Sequence, residues 1–357
     1  MFKSIIGNDP VKGYLTRAAE RNMVGNSYLF AGPDGIGKSL FALELAKLLI
    51  GDSPKLQHGN HPDIHVYRPE GKIGMHSIDA MRQFNREVYL APSEAPRKIF
   101  ILHDADRMLA TSANALLKTF EEPAEDSLMI LLSSSPENFL PTVLSRCRRI
   151  YFQPIDDELI IRWLIEEKKI DQATAEKYVP FAFGSAGEAL RLCLHGQDEI
   201  RRLTLDFLSA RSAYYPDLQQ FVKAIGQAME TIKAGIEESA RAELCKIEKE
   251  DLTAIHREAI EKEISGLVST KFQEETDRLL CLVISWHRDL HLLQAGGSQK
   301  LLANPDYAPL LKQLASKPTP SLEQIEQLAE QARLAIKRFL PVENALETLF
   351  LRIKSWP

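Results

Sequence analysis

A chain of 357 residues, 45% hydrophobic and 26% charged, is too long for one ordinary core and predicts two or three globular domains. Its net charge of −5 excludes a protein that coats nucleic acid by bulk electrostatics, though it leaves room for a local basic patch. The longest clean apolar run, "LLCLVISW", is far short of a membrane span, and the opening "MFKSIIGNDP" lacks the apolar core of a signal peptide. Cys147, Cys193, Cys245 and Cys281 lie far apart with no C-x-x-C pair, which disfavours a zinc site or disulfide framework. A cytoplasmic protein without a membrane partner is expected.

In chain order, Asp9 followed by Pro10 reads as an N-cap and first-turn proline, opening a helix to about Asn22. "SYLFAG" is a short buried strand, and "KSLFALELAKLLI" has helical spacing. "DIHVY" (63–67) is a second strand and "SIDAMRQFNREVY" a helix. "RKIFILHDA" is a third strand, and "SANALLKTFEEP" a helix stopped by Pro123. "SLMILLSSS" is a fourth strand and "RRIYFQP" a fifth, ended by Pro154. Short apolar runs alternating with amphipathic helices predict a parallel α/β sheet covered on both faces.

After Pro154 the strand signal stops. "DDELIIRWLIEEKKI" is an amphipathic helix with an acidic first turn, and Ser185 with Glu188 has capping-box spacing before "ALRLCL". Everything from about residue 200 reads helical. Between Glu230 and Glu263, sixteen of thirty-four residues are charged. Ile232, Ile236, Leu244 and Ile247 make a thin apolar stripe there, which predicts a long solvated helix or helical hairpin. "SKPTPS" (316–321) marks a loop.

Chemistry concentrates in "GPDGIGKS", residues 32–39, a complete P-loop pattern between a strand and a helix. Glycines at 32, 35 and 37 let backbone N–H groups approach phosphate oxygens, and the helix opening at Lys38 adds its positive end. Lys38 would reach the β- and γ-phosphates of ATP or ADP, and Ser39 would offer a hydroxyl to Mg²⁺. Hydrolysis also needs acids at the end of the third strand, and here the pair reads His103-Asp104. Imidazole is a poor Mg²⁺ ligand. Asp104 lies one residue on, so its side chain leaves the opposite face of a strand, and it suits only the second acidic position. Weak or absent ATPase activity is expected. Ser134, within Ser133-Ser134-Ser135, lies at the height of a γ-phosphate, with a serine-rich turn as the plainer reading. Arg146, Arg148 and Arg149 cluster in "LSRCRR", where a guanidinium can reach a neighbouring subunit's phosphate or pair with an acidic surface. His58, His61 and His65 are too loosely spaced, with no cysteine, to suggest a metal.

These blocks carry a resemblance. "SYLFAGPDGIGKS", "GNHPDIHVYRPEGK", "ANALLKTFEEP" and "LLSSSPENFLPTVLSRCRRIYF" resemble successive blocks of bacterial clamp-loader subunits, within the AAA+ ATPases. The resemblance runs from about Ile5 to Leu192, and "SWHRDLHLL" and "NPDY" are similar to the family's helical collar. It implies a P-loop AAA+ domain (1–155), a helical lid (156–200) and an all-helical oligomerisation collar (201–357). Two kinds of member compete. The motor kind (gamma or tau) would show Asp-Glu at 103–104 and an arginine at 187. His103, Asp104 and Gly187 resemble the stator, or delta prime, kind instead. By that resemblance Arg146 is an arginine finger acting in trans, and Gly32, Gly35, Gly37, Lys38, Ser39, Asp104 and Ser134 form the nucleotide site. The implied partners are motor subunits, a delta subunit and, through the complex, a sliding clamp and primed DNA. The family's four-cysteine zinc module has no counterpart in "IGDSPKLQHGNHPD", so no zinc is expected. A motor-type ATPase and a stand-alone AAA+ regulator remain the alternatives.

Overall fold

Five strands lie side by side in one parallel sheet, β1 (Ser27–Ala31), β2 (Ile64–Tyr67), β3 (Lys98–Leu102), β4 (Ser127–Ser133) and β5 (Arg148–Tyr151), in the order β2-β3-β4-β1-β5. The computed structural model describes residues 2, 4–51, 61–71, 73–195, 199–210, 214–247, 254–338 and 340–354. They divide into one unit of residues 1–196 with 252–267 and a second of 197–251 with 268–357.

In the first unit, β1, β3 and β4 are buried along their whole length, which is why they read as unbroken apolar runs. Strand alternation divides their side chains between two cores. Tyr28, Phe30, Ile99 and Ile130 pack with Leu15 of α1 (Asp9–Glu20) and Phe41 and Leu45 of α2 (Lys38–Ile50). Leu29, Phe100 and Leu131 pack on the other face with Phe84 of α3 (Ile78–Val88) and Leu116 and Phe120 of α4 (Ala110–Glu121). A short helix, α5 (Pro141–Leu144), leads into edge strand β5.

The start of α1 departs from the sequence expectation. Asp9 is already helical, and the preceding Asn8 is the N-cap residue, left-handed at φ 52° and without a side-chain cap. Its amide is committed elsewhere: Nδ2 donates to the Gln153 carbonyl (3.1 Å), and Oδ1 accepts from the Gln153 N–H (2.8 Å). That long-range pair outweighs the local cap.

Three further helices, α6 (Asp157–Glu166), α7 (Gln172–Tyr178) and α8 (Ala186–His195), enclose their own apolar cluster around Ile160, Leu164, Val179, Ala189 and Leu192. Asp156 caps α6 through the Glu158 N–H (2.9 Å).

The second unit is helical. It is built from α9 (Glu199–Ser209), α10 (Tyr215–Ile247), α11 (Ala254–Gln294) from residue 268 onward, α12 (Ala308–Leu314), α13 (Leu322–Lys337) and α14 (Val342–Lys354). Its core holds Phe207, Phe221 and Phe350 in mutual ring contact, with Trp286 buried against Tyr307. The charged stretch 230–263 forms the end of α10 and the start of α11, with Ile232 packed on this core. Residues 248–253 and the side chains of Leu244 and Ile247 lie outside the described residues. The beginning of α11 groups with the first unit, where the Gly71 N–H donates to the Lys262 carbonyl (3.0 Å). Among the described residues, no helix is long and apolar enough to cross a membrane.

Candidate functional site

The loop 32–37 joins β1 to α2, and its conformation needs glycine. Gly35 and Gly37 are left-handed, at φ +73° and +97°, and a Cβ on Gly32 would meet the Phe152 carbonyl at 2.6 Å. Lys38 opens α2 and is buried at 7% exposure. Its ammonium turns back onto its own loop. Nζ donates to the carbonyls of Gly32 (2.5 Å) and Pro33 (2.8 Å) and to the Asp34 carboxylate (3.2 Å). Ser39 is half-buried one position on. The loop therefore has the backbone shape and positive helix end that suit a phosphate, with its lysine already engaged.

Helix α8 sits directly on this loop. The Gly187 N–H donates to the Gly35 carbonyl (2.9 Å). A Cβ on Gly187 would lie 3.2 Å from both the Gly35 Cα and its carbonyl oxygen, and one on Gly35 would overlap Ser185 Oγ. The expected capping pair is present from its serine side: Ser185 Oγ accepts from the Glu188 N–H (3.2 Å). The Glu188 carboxylate pairs with Arg191 (2.9 and 3.0 Å).

At the end of β3, His103 remains in the ladder, its N–H donating to the Tyr67 carbonyl (2.9 Å). Its own carbonyl meets Nε2 of His76 (2.7 Å), whose fully buried ring is kept far from protonation. Burial, the largest cause, pushes the His76 pKa down to about 4. Asp104 is left-handed (φ 46°) and precedes a single 3₁₀ turn, Ala105–Arg107. That turn presents an acid the sequence reading passed over. Asp106 accepts from Ser133 Oγ at the end of β4 (2.6 Å). Burial raises its carboxyl pKa, the Ser133 hydrogen bond opposes that, and the Asp34 charge adds to the rise. Of the three serines, Ser133 is the one in this network. Ser134 is exposed, and Ser135 donates its N–H back to Ser133 Oγ (3.0 Å). The signal that could have revealed Asp106 is its place one turn past a strand end, beside a strand that also ends in hydroxyls.

Arg146 follows α5. Its Nη1 donates to the Thr142 carbonyl (2.8 Å) and Ser145 Oγ (3.2 Å), and its Nη2 pairs with Glu121 at the end of α4. Arg148 lies over the Tyr14 ring at 5.0 Å, so the clustered arginines have different local duties.

The "HPD" block is architectural. His61 Nδ1 accepts from the Asp63 N–H (3.1 Å), and fully buried Asp63 accepts from the N–H groups of Ser93 (2.6 Å), Glu94 (2.8 Å) and Ala95 (2.8 Å). Burial acts to raise the Asp63 carboxyl, but the three backbone donors outweigh it and hold the carboxyl below the usual range. A group whose folded pKa is depressed contributes stability above its unfolded value, and that stability is lost as pH falls through the folded pKa. Asp63→Asn should therefore cost about 2 kcal/mol at neutral pH. The gap from wild type should narrow on acidification below about pH 4, as urea unfolding at several pH values would read. His65 is occupied by Glu87 (3.2 Å) and stacks on Phe100, and His58 lies outside the described residues. Among the described residues no three His, Cys, Asp or Glu side chains are grouped to hold a metal ion. The cysteine-free segment 52–60 is outside them.

Comparison with known proteins covers the part of the chain that holds this site. Residues 7–156 match the family model described as DNA polymerase III, delta subunit. The DNA polymerase III subunit delta' of Bacillus subtilis is 35% identical over 166 residues, covering 43% of this chain and 50% of the relative. That of Pseudomonas aeruginosa is 32% identical over 186 residues, covering 48% and 56%. The tau subunit of B. subtilis is 27% identical over 209 residues, covering 54% and 37%. The chain thus spans about half the length of the delta' relatives it matches. Over that part it is similar to clamp-loader subunits of the delta prime kind, as the resemblance implied.

Proposed function

We propose, taking this similarity to delta prime subunits as the premise, that the chain is the stator subunit of a bacterial DNA polymerase III clamp loader. In this reading residues 1–155 form the AAA+ module, 156–200 the lid and 201–357 the collar that joins motor subunits of the gamma or tau kind and a delta subunit. The complex would act in the cytoplasm, placing a sliding clamp on primed DNA. This chain's own contribution would be Arg146, offered across an interface to ATP held by a neighbour.

The observation that carries the reading is the seating of Gly187. A motor subunit would project an arginine from that position toward a γ-phosphate. Here a backbone N–H from the same position is used on Gly35. His103 at the end of β3, an imidazole where a motor subunit would carry a metal-binding carboxylate, supports it. The tau relative supports a motor reading as the second choice, and the two are separable by rate. The isolated chain is expected to turn over ATP negligibly in a coupled assay. A steady-state rate of about one per second or more, within the ordinary enzyme range and abolished by Lys38→Ala, would overturn the stator reading in favour of the motor.

A further inference from the structure

The P-loop carries its own competitor for phosphate. A lysine ammonium has three N–H donors and no acceptor. In Lys38 all three are directed at the loop itself: two at the fixed carbonyls of Gly32 and Pro33, the third at the Asp34 carboxylate. The two carbonyls are neutral backbone and stay with the loop whatever binds. Asp34 is different. It is the one anion in the set, and its side chain is 55% exposed while that of Lys38 is 8% exposed. It can swing into water without being stranded in a low-dielectric pocket. An incoming phosphate oxygen must displace it from the ammonium, and while it stays nearby its charge repels the phosphates.

We propose that Asp34 is an affinity-setting residue of this P-loop: its carboxylate occupies Lys38 in place of a nucleotide phosphate, and nucleotide binds only by displacing it. The proposal deepens the stator reading, since it concerns the affinity of the same loop for nucleotide, and it rests on the loop being a phosphate site. It requires nothing of Arg146 or of the complex, so the two stand or fall on different measurements.

The test is a fluorescence titration of the full chain with an N-methylanthraniloyl derivative of ADP and then of ATP, each with Mg²⁺, at low and moderate salt. The proteins are wild type, Asp34→Asn, Asp79→Asn and the double variant Asp34→Asn/Lys38→Ala. Asp34→Asn keeps the side-chain size and removes the charge. It should bind both nucleotides about three- to tenfold more tightly than wild type, the range expected for losing a half-exposed ion pair and a like charge beside the phosphates. The advantage should shrink as salt screens the pair. Asp79 is a highly exposed carboxylate on another helix, paired only loosely with Arg82 at 3.4 Å, so its variant should match wild type. The double variant should lose the gain, because the gain is exercised through Lys38. Equal or weaker binding by Asp34→Asn overturns the proposal. So does an equal gain from Asp79→Asn, a gain that survives loss of Lys38, or no measurable binding by any variant at millimolar nucleotide. A urea midpoint for Asp34→Asn matching wild type certifies that the folded loop is being compared.

Discussion

Arg146→Ala, reconstituted into a complete clamp loader, is expected to leave assembly intact and lower the clamp- and DNA-stimulated ATPase. Arginine fingers are worth roughly 10³–10⁵ in rate at the site they serve. Only the site facing this chain would be affected, so the bulk rate should fall by that site's share and clamp loading should fall with it. The geometry suits the role. The side chain is about one-third exposed at 32%, supported by the Thr142 carbonyl and Ser145 Oγ and paired with half-exposed Glu121. Half-exposed pairs of this kind are worth ~1 kcal/mol or less, so exchanging Glu121 for a phosphate across an interface costs little. Guanidinium also has more donors than these three contacts use. Two controls give the test its resolution. Glu121→Gln removes the resting partner and should change the rate less than Arg146→Ala does. Arg148→Ala removes a cation resting on Tyr14 and should leave the rate near wild type, since that side chain is already directed at its own domain. An unchanged rate from an assembled Arg146→Ala complex would leave Arg146 as a structural ion-pair residue.

The P-loop, the five strands and the helices between them were legible because each depends on local signals: apolar runs buried on both faces, glycines where the chain turns left-handed, and prolines where strands stop. What was not legible depends on contacts between distant residues. The Asn8 amide gives up the helix cap for Gln153, 145 positions away. Asp106 meets Ser133 because a 3₁₀ turn redirects it after β3, and no strand periodicity describes such a turn. Gly187 could be read as a missing arginine. That its backbone bonds Gly35 follows only from how the helices α6 to α8 pack. Asp34 looked like one of the interchangeable residues among the loop glycines, and its importance comes from where the Lys38 ammonium points. The same holds for "SWHRDLHLL" and "NPDY", which resemblance marked without giving a reason. In the structure they are two halves of one buried polar clamp.

That clamp makes Asp289→Ala the substitution with the largest expected cost to stability. Asp289 is fully buried and accepts three hydrogen bonds, from the N–H groups of Ala303 (2.9 Å) and Asn304 (2.8 Å) and from Asn304 Nδ2 (3.0 Å). Asn304 passes the network on, its Oδ1 accepting from Arg201 (3.2 Å). Arg201 in turn grips Asp306 through two bonds of 2.8 and 2.9 Å. The chain of contacts ties α11, the 303–306 turn and α9 inside the second unit, and Trp286 packs on Tyr307 beside it. Replacing Asp289 by alanine strands three donors, the two from Asn304 in buried positions. Each orphaned buried group costs about 1–3 kcal/mol, so a loss of about 3–5 kcal/mol is expected. For a unit of this size that is a fall in Tm of roughly 10 °C. Asp206→Ala is the matched control. It also removes a carboxylate from this unit, but an exposed one that accepts a single bond, from the Tyr307 hydroxyl (2.7 Å), and it should cost about 1 kcal/mol or less. Thermal unfolding of the full chain followed by circular dichroism, with limited proteolysis to locate the weakened unit, reads both. Cleavage of the Asp289→Ala protein should rise within 268–357 while the P-loop unit stays resistant. A Tm within about 2 °C of wild type, less than 1 kcal/mol by the same scaling, would mean that water or a neighbouring side chain replaces the carboxylate, and the clamp would not be what holds the turn.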